Sequence, residues 1–413
     1  MLLSKFNFMT GRPIECCHII SDNVTKALFS FPTAVFRFVK NRGAFASVLL
    51  LLAFAHAHAQ SPSQSRPPQQ QRPPPQQPPP RQQSPRQPQT QARIELAWPT
   101  PNRAFFEGRG IEAFIQPTAS GAVESGLFGG VRNGGLRFHE GIDLKALARD
   151  KNGEPADPIF AVLPGVVRYI NLVPGNSEYG RYVVIEHTGA TPAVYSLYGH
   201  LSAVQPELRA GATVARGQRI ATMGRSSSTI AIPKAQAHVH FELGVRLTDN
   251  FRPWYDSKKF GSRNMHGIYN GYNLMGFDPL DFFRKWRAGN AAGFQDYFAR
   301  MQQAVRVRVV TRATPDFVRR YPSLLTKPLP AGAGGALGGW EIACNPTGLP
   351  FAWTPLSTME VIGERAGSVS IVAYDEALIK AWRCRSLVVT SRGVPRPGRD
   401  LQDVLDMLFG KAK

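Results

Sequence analysis

Residues 237–243 read Ala237-His238-Val239-His240-Phe241-Glu242-Leu243. Alternate side chains of a β-strand share a face, so His238 and His240 point one way while Val239 and Phe241 face a core. About a hundred residues earlier stands Arg137-Phe138-His139-Glu140-Gly141-Ile142-Asp143. Here a histidine and an aspartate lie four apart with glycine between them, so both can turn toward one point. A third context, Tyr198-Gly199-His200-Leu201, sets a histidine where a strand runs into a loop.

Neutral imidazoles and a carboxylate are good zinc ligands. His139, Asp143 and one of His238 or His240 make three, and water would take the fourth tetrahedral position, as in catalytic zinc sites. The metal would lower the pKa of that water toward ~7. The remaining imidazoles could then relay its proton and donate to an oxyanion. Other hydrolase signatures are broken. Asp143 stands where HExxH needs its second histidine, and Gly224-Arg225-Ser226-Ser227-Ser228 does not fit a G-x-S-x-G elbow. His187, at a strand end, and His266, in a loop, read as structural.

Around these contexts the chain from Ile94 to about Asn290 is a succession of short apolar runs punctuated by turn residues. The runs are Ile159–Val173, Arg181–His187, Ala193–Tyr198, Arg219–Met223 and His238–Leu243. Helical periodicity waits until Asp278–Trp286. The pattern predicts a mostly β, antiparallel domain over residues 94–290. Residues 300–413 read differently, as a small C-terminal α+β domain. Its expected strands are Val305–Thr311, Gly339–Ala343, Ser368–Ala373 and Ser386–Thr390, and its expected helices Glu376–Arg385 and Asp400–Phe409.

In the order and spacing of its elements the sequence resembles the lysostaphin-type (LytM-like) zinc metallopeptidases of bacterial cell walls, over about residues 125–286. The likeness runs from Phe128-Gly129-Gly130-Val131-Arg132 through His139…Asp143 and Pro164-Gly165-Val166-Val167. It continues through Tyr179-Gly180-Arg181, Tyr198-Gly199-His200-Leu201 and His238-Val239-His240-Phe241-Glu242 to Asp278-Pro279-Leu280. The resemblance implies the antiparallel duplicated hybrid motif, His139, Asp143 and His240 as zinc ligands, and His200 and His238 as the catalytic pair. It further implies hydrolysis of peptide bonds in peptidoglycan, in cross-links or stem peptides, by a zinc-activated water. The alternative is a non-catalytic wall-binding or divisome-regulating scaffold with a structural zinc. Two stretches depart from the family: Ile230–Ala237 and Arg246–Phe277. The second holds Phe251, Trp254, Tyr255, Phe260, Tyr269 and Tyr272; the two stretches are expected to form a groove wall or a lid, or else an aromatic-rich loop packed on the domain.

The N-terminal residues read as an address. Ala44–Ala55 (AFASVLLLLAFA) follows Lys40 and Arg42 and precedes Ala57-His58-Ala59, so residues 1–59 are expected to be an export signal cleaved after Ala59, or else kept as a membrane anchor. Residues 60–93 form a Pro/Gln-rich linker; eleven prolines and no aliphatic or aromatic residue between 61 and 90 leave nothing to build a core. The formal charge is +20; six basic and two acidic residues fall in the signal, leaving +16 on the exported chain. Such a chain is expected in the periplasm or outside the cell, with peptidoglycan and anionic envelope surfaces as partners and not nucleic acid. Cys344 and Cys384 would be the cysteines left after cleavage. In an oxidising compartment they are expected to form one bridge across about 40 residues, contributing about 3–4 kcal/mol.

Overall fold

The computed structural model describes residues 93–331 and 335–410. The expected export signal and almost all of the expected linker lie outside them. Twelve strands build the first part: β1 (Gly129–Arg132), β2 (Arg137–His139), β3 (Ile142–Lys145), β4 (Pro158–Phe160), β5 (Gly165–Asn171), β6 (Tyr182–His187), β7 (Val194–Tyr198), β8 (Ala203–Val204), β9 (Thr213–Val214), β10 (Arg219–Thr222), β11 (His238–Arg246) and β12 (Leu274–Phe277). The main sheet has the order β12-β11-β7-β6-β5-β9, with β3 also paired to β11. A smaller sheet runs β4-β10-β8, and β1 pairs with β2 as a hairpin. These ladders are antiparallel, so the mostly β expectation holds. Among the described residues no helix is long and apolar enough to cross a membrane.

Periodicity dictates which faces are buried. Along β11, Val239, Phe241 and Leu243 enter the core, while His238, His240 and Glu242 share the opposite face. Between β11 and β12 the chain forms α1 (Phe251–Lys258). Its aromatic residues Phe251, Trp254 and Tyr255 are buried, Phe260 stacks on Tyr272 at 4.8 Å, and Tyr269 stacks on Tyr169 at 5.7 Å. The aromatic residues of Arg246–Phe277 thus pack on the domain and on each other. After β12, Asp278 caps α2 (Pro279–Arg287) by accepting from Leu280 N and Asp281 N, with proline at the first helical position. The short α3 (Phe294–Ala299) follows.

The C-terminal part comprises β13 (Val305–Val310), α4 (Asp316–Arg320), β14 (Leu337–Cys344), β15 (Pro350–Ser357), β16 (Val369–Tyr374), α5 (Glu376–Ala381), β17 (Val388–Ser391), β18 (Val394–Pro397) and α6 (Arg399–Phe409). Four of its strands form a sheet in the order β15-β14-β13-β16. The alternation Val305-Arg306-Val307-Arg308-Val309 sends valines inward and arginines to a polar face, where Arg308 meets Glu341 and Glu364. A contiguous cluster of buried side chains reaches from Leu96 through β11 to Leu408, so the two parts share one core.

Two expectations are corrected. No disulfide joins Cys344 and Cys384; both are buried thiols. Cys344 ends β14 opposite Val305 and Pro350, where burial pushes its thiol up to about 12, whereas the Cys384 sulfur lies against Gly130. The helix expected over Glu376–Arg385 ends at Ala381, because the next four residues leave it to pack elsewhere.

His187 is fully buried between β6 and β7, with Nδ1 2.9 Å from Pro164 O and Nε2 2.8 Å from Ser196 Oγ. Burial lowers its pKa to about 4, only partly offset by the Pro164 carbonyl and Glu186. The unfolded chain takes up a proton near pH 6.5 and the folded one near pH 4, so His187 contributes stability above pH 6.5 that is lost as pH falls toward 4. Between pH 7 and pH 5 that loss is about 2 kcal/mol at 1.36 kcal/mol per pKa unit. Urea denaturation of His187→Gln should show a drop over this interval smaller by about that amount; an unchanged drop would reject the assignment.

Candidate metal centre

The antiparallel register places His240 directly opposite Asp143 and His238 opposite Lys145. His139 reaches the same point from the end of β2. The atoms His139 Nε2, Asp143 Oδ1 and His240 Nδ1 form a small triangle. Its edges are 3.0 Å between the two nitrogens, 3.2 Å from His139 to Asp143 and 3.1 Å from His240 to Asp143. Two ligands of a tetrahedral zinc, each about 2.0–2.1 Å from the ion, lie about 3.3–3.4 Å apart. The triangle is therefore close to one face of such a tetrahedron, and the donor set, two imidazoles and a carboxylate, suits zinc. All three residues are buried.

Each histidine is oriented by an acceptor-only oxygen on its far side. His139 Nδ1 donates to Leu127 O at 2.7 Å, and His240 Nε2 to Glu242 Oε1 at 2.9 Å. His200 Nδ1 donates to Ser226 O at 2.8 Å, and His238 Nδ1 to Gln236 O at 2.7 Å. A carbonyl or ionised carboxylate can only accept, so each of these nitrogens carries the hydrogen and the other is left for the centre. The Asp143 carboxylate is divided in the same way. Its Oδ2 accepts from Arg132 Nη2 at 2.8 Å and Thr118 Oγ1 at 3.1 Å, leaving Oδ1 toward the histidines. Glu242 is held in turn by Tyr195, whose hydroxyl donates to Oε2 at 2.7 Å. Partners behind the ligands fix ring orientation and raise ligand basicity.

His200 and His238 stand beside the triangle. Their ring centroids are 4.8 Å apart, His200 is 6.1 Å from the His240 ring, and His238 Nε2 is 3.4 Å from Asp143 Oδ1. His200 adopts a left-handed backbone with φ 59°, uncommon outside glycine, and its N–H donates to Tyr179 O at 2.7 Å.

Electrostatics follow from this packing. Burial opposes ionisation of Asp143, yet the imidazoles of His139 and His238 and hydrogen bonds from His139 and His240 hold its carboxyl well below the usual range. Burial lowers the pKa of His238, although Asp143 opposes the shift. Burial also takes His200 well below its ordinary value, helped by the neighbouring His238 and His240. In His240 burial is outweighed by hydrogen bonds to Asp143 and Glu242, and the pKa rises to about 9. Metal-free, the centre thus keeps a proton on His240 where a cation would bind, so metal uptake must release it.

All five residues singled out in the sequence, His139, Asp143, His200, His238 and His240, converge. Arg132, Thr118 and Glu242 belong to the same constellation without having been assigned a role. Glu242 had a local signal, being next after His240 on the same face of the strand.

The family model for peptidase family M23 matches residues 137–252. The match spans the stretch that carries His139, Asp143, His200, His238 and His240, and it supports the lysostaphin-type (LytM-like) resemblance. No curated protein matches the chain. Among solved structures, similarity is found to a zinc-containing peptidase from Vibrio cholerae, at 25% identity over 32% of this chain and TM-score 0.23. The match spans about a third of that peptidase's length, 34%. A mutant catalytic domain of the prophage-encoded M23 protein EnpA from Enterococcus faecalis is 26% identical over 32% of this chain and 80% of that one, TM-score 0.23. The catalytic domain of the antimicrobial peptidase lysostaphin from Staphylococcus simulans is 20% identical over 37% and 82%, TM-score 0.23.

Proposed function

We propose that the protein is an exported zinc-dependent endopeptidase that hydrolyses peptide bonds of peptidoglycan. The observation that carries this reading is the 3.0–3.2 Å triangle of His139, Asp143 and His240 with two further imidazoles at its side. In this reading those three residues hold the zinc, which when bound supplies Lewis acidity and makes water nucleophilic near neutral pH. His200 and His238 act through Nε2, because Nδ1 of each is tied to a carbonyl. Burial keeps both rings neutral at pH 7, so each Nε2 can accept a proton from the attacking water. Once protonated, the same nitrogen can donate to the developing oxyanion or to the leaving amine. The peptidoglycan substrate is supported by the match of residues 137–252 to the model for peptidase family M23, and the location by the export signal read at residues 1–59 and the basic charge.

Digestion of purified sacculi tests the proposal. Soluble muropeptides identified by mass should appear with the zinc-loaded protein, vanish when a chelator strips the metal, and return on adding zinc. Sacculi left intact by a fully zinc-loaded protein that binds them tightly would reject catalysis in favour of a wall-binding role.

A further inference from the structure

Just beyond α5, four consecutive residues of the C-terminal part pack on the β1–β2 hairpin. The Trp382 ring lies so close to Gly129 that a Cβ there would stand 3.0 Å from Cη2 and Cζ3. It also meets the Phe128 ring edge-on at 6.5 Å. Arg383 Nη2 donates to Gly134 O at 2.6 Å, gripping the turn. A Cβ on Gly130 would stand 2.7 Å from Cys384 Sγ. Arg385 completes the contact, its Cζ 3.9 Å from the centroid of the Phe138 ring. Both strands of the hairpin and its turn are therefore held from the C-terminal side.

The same hairpin orients two of the three candidate ligands. Leu127 O, just before β1, takes the His139 Nδ1 hydrogen, and Arg132, the last residue of β1, fixes Asp143 Oδ2. Arg132 also donates through Nε to Ser125 O at 3.0 Å. A two-stranded ribbon this short is marginal by itself, and four of its residues are glycine: Gly129, Gly130, Gly134 and Gly135. Something outside the hairpin must fix its position.

We propose that Trp382–Arg385 is a positioning clamp for the metal centre. Its residues touch neither metal nor substrate; by holding the hairpin they fix Arg132 and Leu127 O, and through these the donor atoms of Asp143 and His139. The C-terminal part thereby tunes metal affinity. This rests on the metal-centre reading above. Partners behind metal ligands typically change affinity about 10–100-fold, and the clamp acts one contact further out.

Zinc affinity of the full chain, measured by competition with a chromogenic chelator, is the test. Trp382→Leu and Arg385→Met should each weaken zinc binding about tenfold and speed amide exchange across residues 129–138, while metal-free unfolding stays cooperative. Val394→Ser, on the exposed β17–β18 hairpin, should leave affinity unchanged. Gly130→Ala attacks the contact from the other side: it should weaken binding, and adding Cys384→Ala, which clears the space, should restore affinity at least in part. Variants that bind zinc within twofold of the wild type overturn the clamp alone, as does an equal loss in Val394→Ser or no rescue in the double variant. A wild-type protein that binds no zinc overturns the metal centre itself.

Discussion

Replacing His240 with alanine is expected to remove zinc from the protein and abolish turnover. The change deletes one apex of the ligand triangle and leaves His139 Nε2 and Asp143 Oδ1, 3.2 Å apart, as the remaining pair. Zinc sites of four ligands bind with about 10–16 kcal/mol, so one ligand accounts for roughly 3–4 kcal/mol, or two to three orders of magnitude in affinity. A second consequence is structural. Glu242 is fully buried, and its two oxygens accept hydrogen bonds from His240 Nε2 and the Tyr195 hydroxyl. Without the imidazole one carboxylate oxygen is stranded in the core, costing about 1–3 kcal/mol. His240→Ala should therefore both emerge metal-free from dialysis and unfold at lower denaturant than metal-free wild type. Wild-type turnover in a zinc-free His240→Ala preparation would contradict the assignment.

The part of this centre that was legible in the sequence was carried by local rules. His238 and His240 were placed on one face by the two-residue period of a strand. Asp143 and His139 stood out because a short glycine-containing segment joins them. What could not be read was convergence from elsewhere. Arg132 and Thr118 meet at Asp143 Oδ2 only because a hairpin and a loop fold over β3; no spacing between them announces it. The strand β15 escaped for a different reason. It contains Pro350 and Pro355, which have no N–H to give a ladder, and it lies at the edge of its sheet, where a missing N–H can face away from the neighbouring strand. Counting cysteines failed similarly: the inference of a bridge from two thiols ignores that Cys344 belongs to the C-terminal sheet and Cys384 to the contact with Gly130. Side-chain chemistry and period are properties of a segment, whereas partners across the fold are properties of the tertiary arrangement, and the clamp of Trp382–Arg385 is entirely of the second kind.

Removing either flanking histidine should give the opposite signature to His240→Ala: zinc retained, turnover lost. Neither ring contributes an apex of the triangle, and both are anchored through Nδ1 to carbonyls outside it. Loss of a general acid–base group or an oxyanion donor lowers kcat by about 10²–10⁴-fold. The two positions require different substitutions. His238 lies on a regular strand, so His238→Ala leaves the backbone undisturbed. His200 sits at φ 59°, where alanine is strained by about 1–2 kcal/mol. His200→Asn, which tolerates that conformation better, separates loss of the imidazole from loss of the turn. With rings 4.8 Å apart the two histidines act on one proton inventory, so their effects should not multiply. The double variant should fall only slightly below the slower single variant. Stoichiometric zinc with kcat within threefold of the wild type in either single variant would remove that histidine from the chemistry, and multiplication of the two losses would show that they serve separate steps.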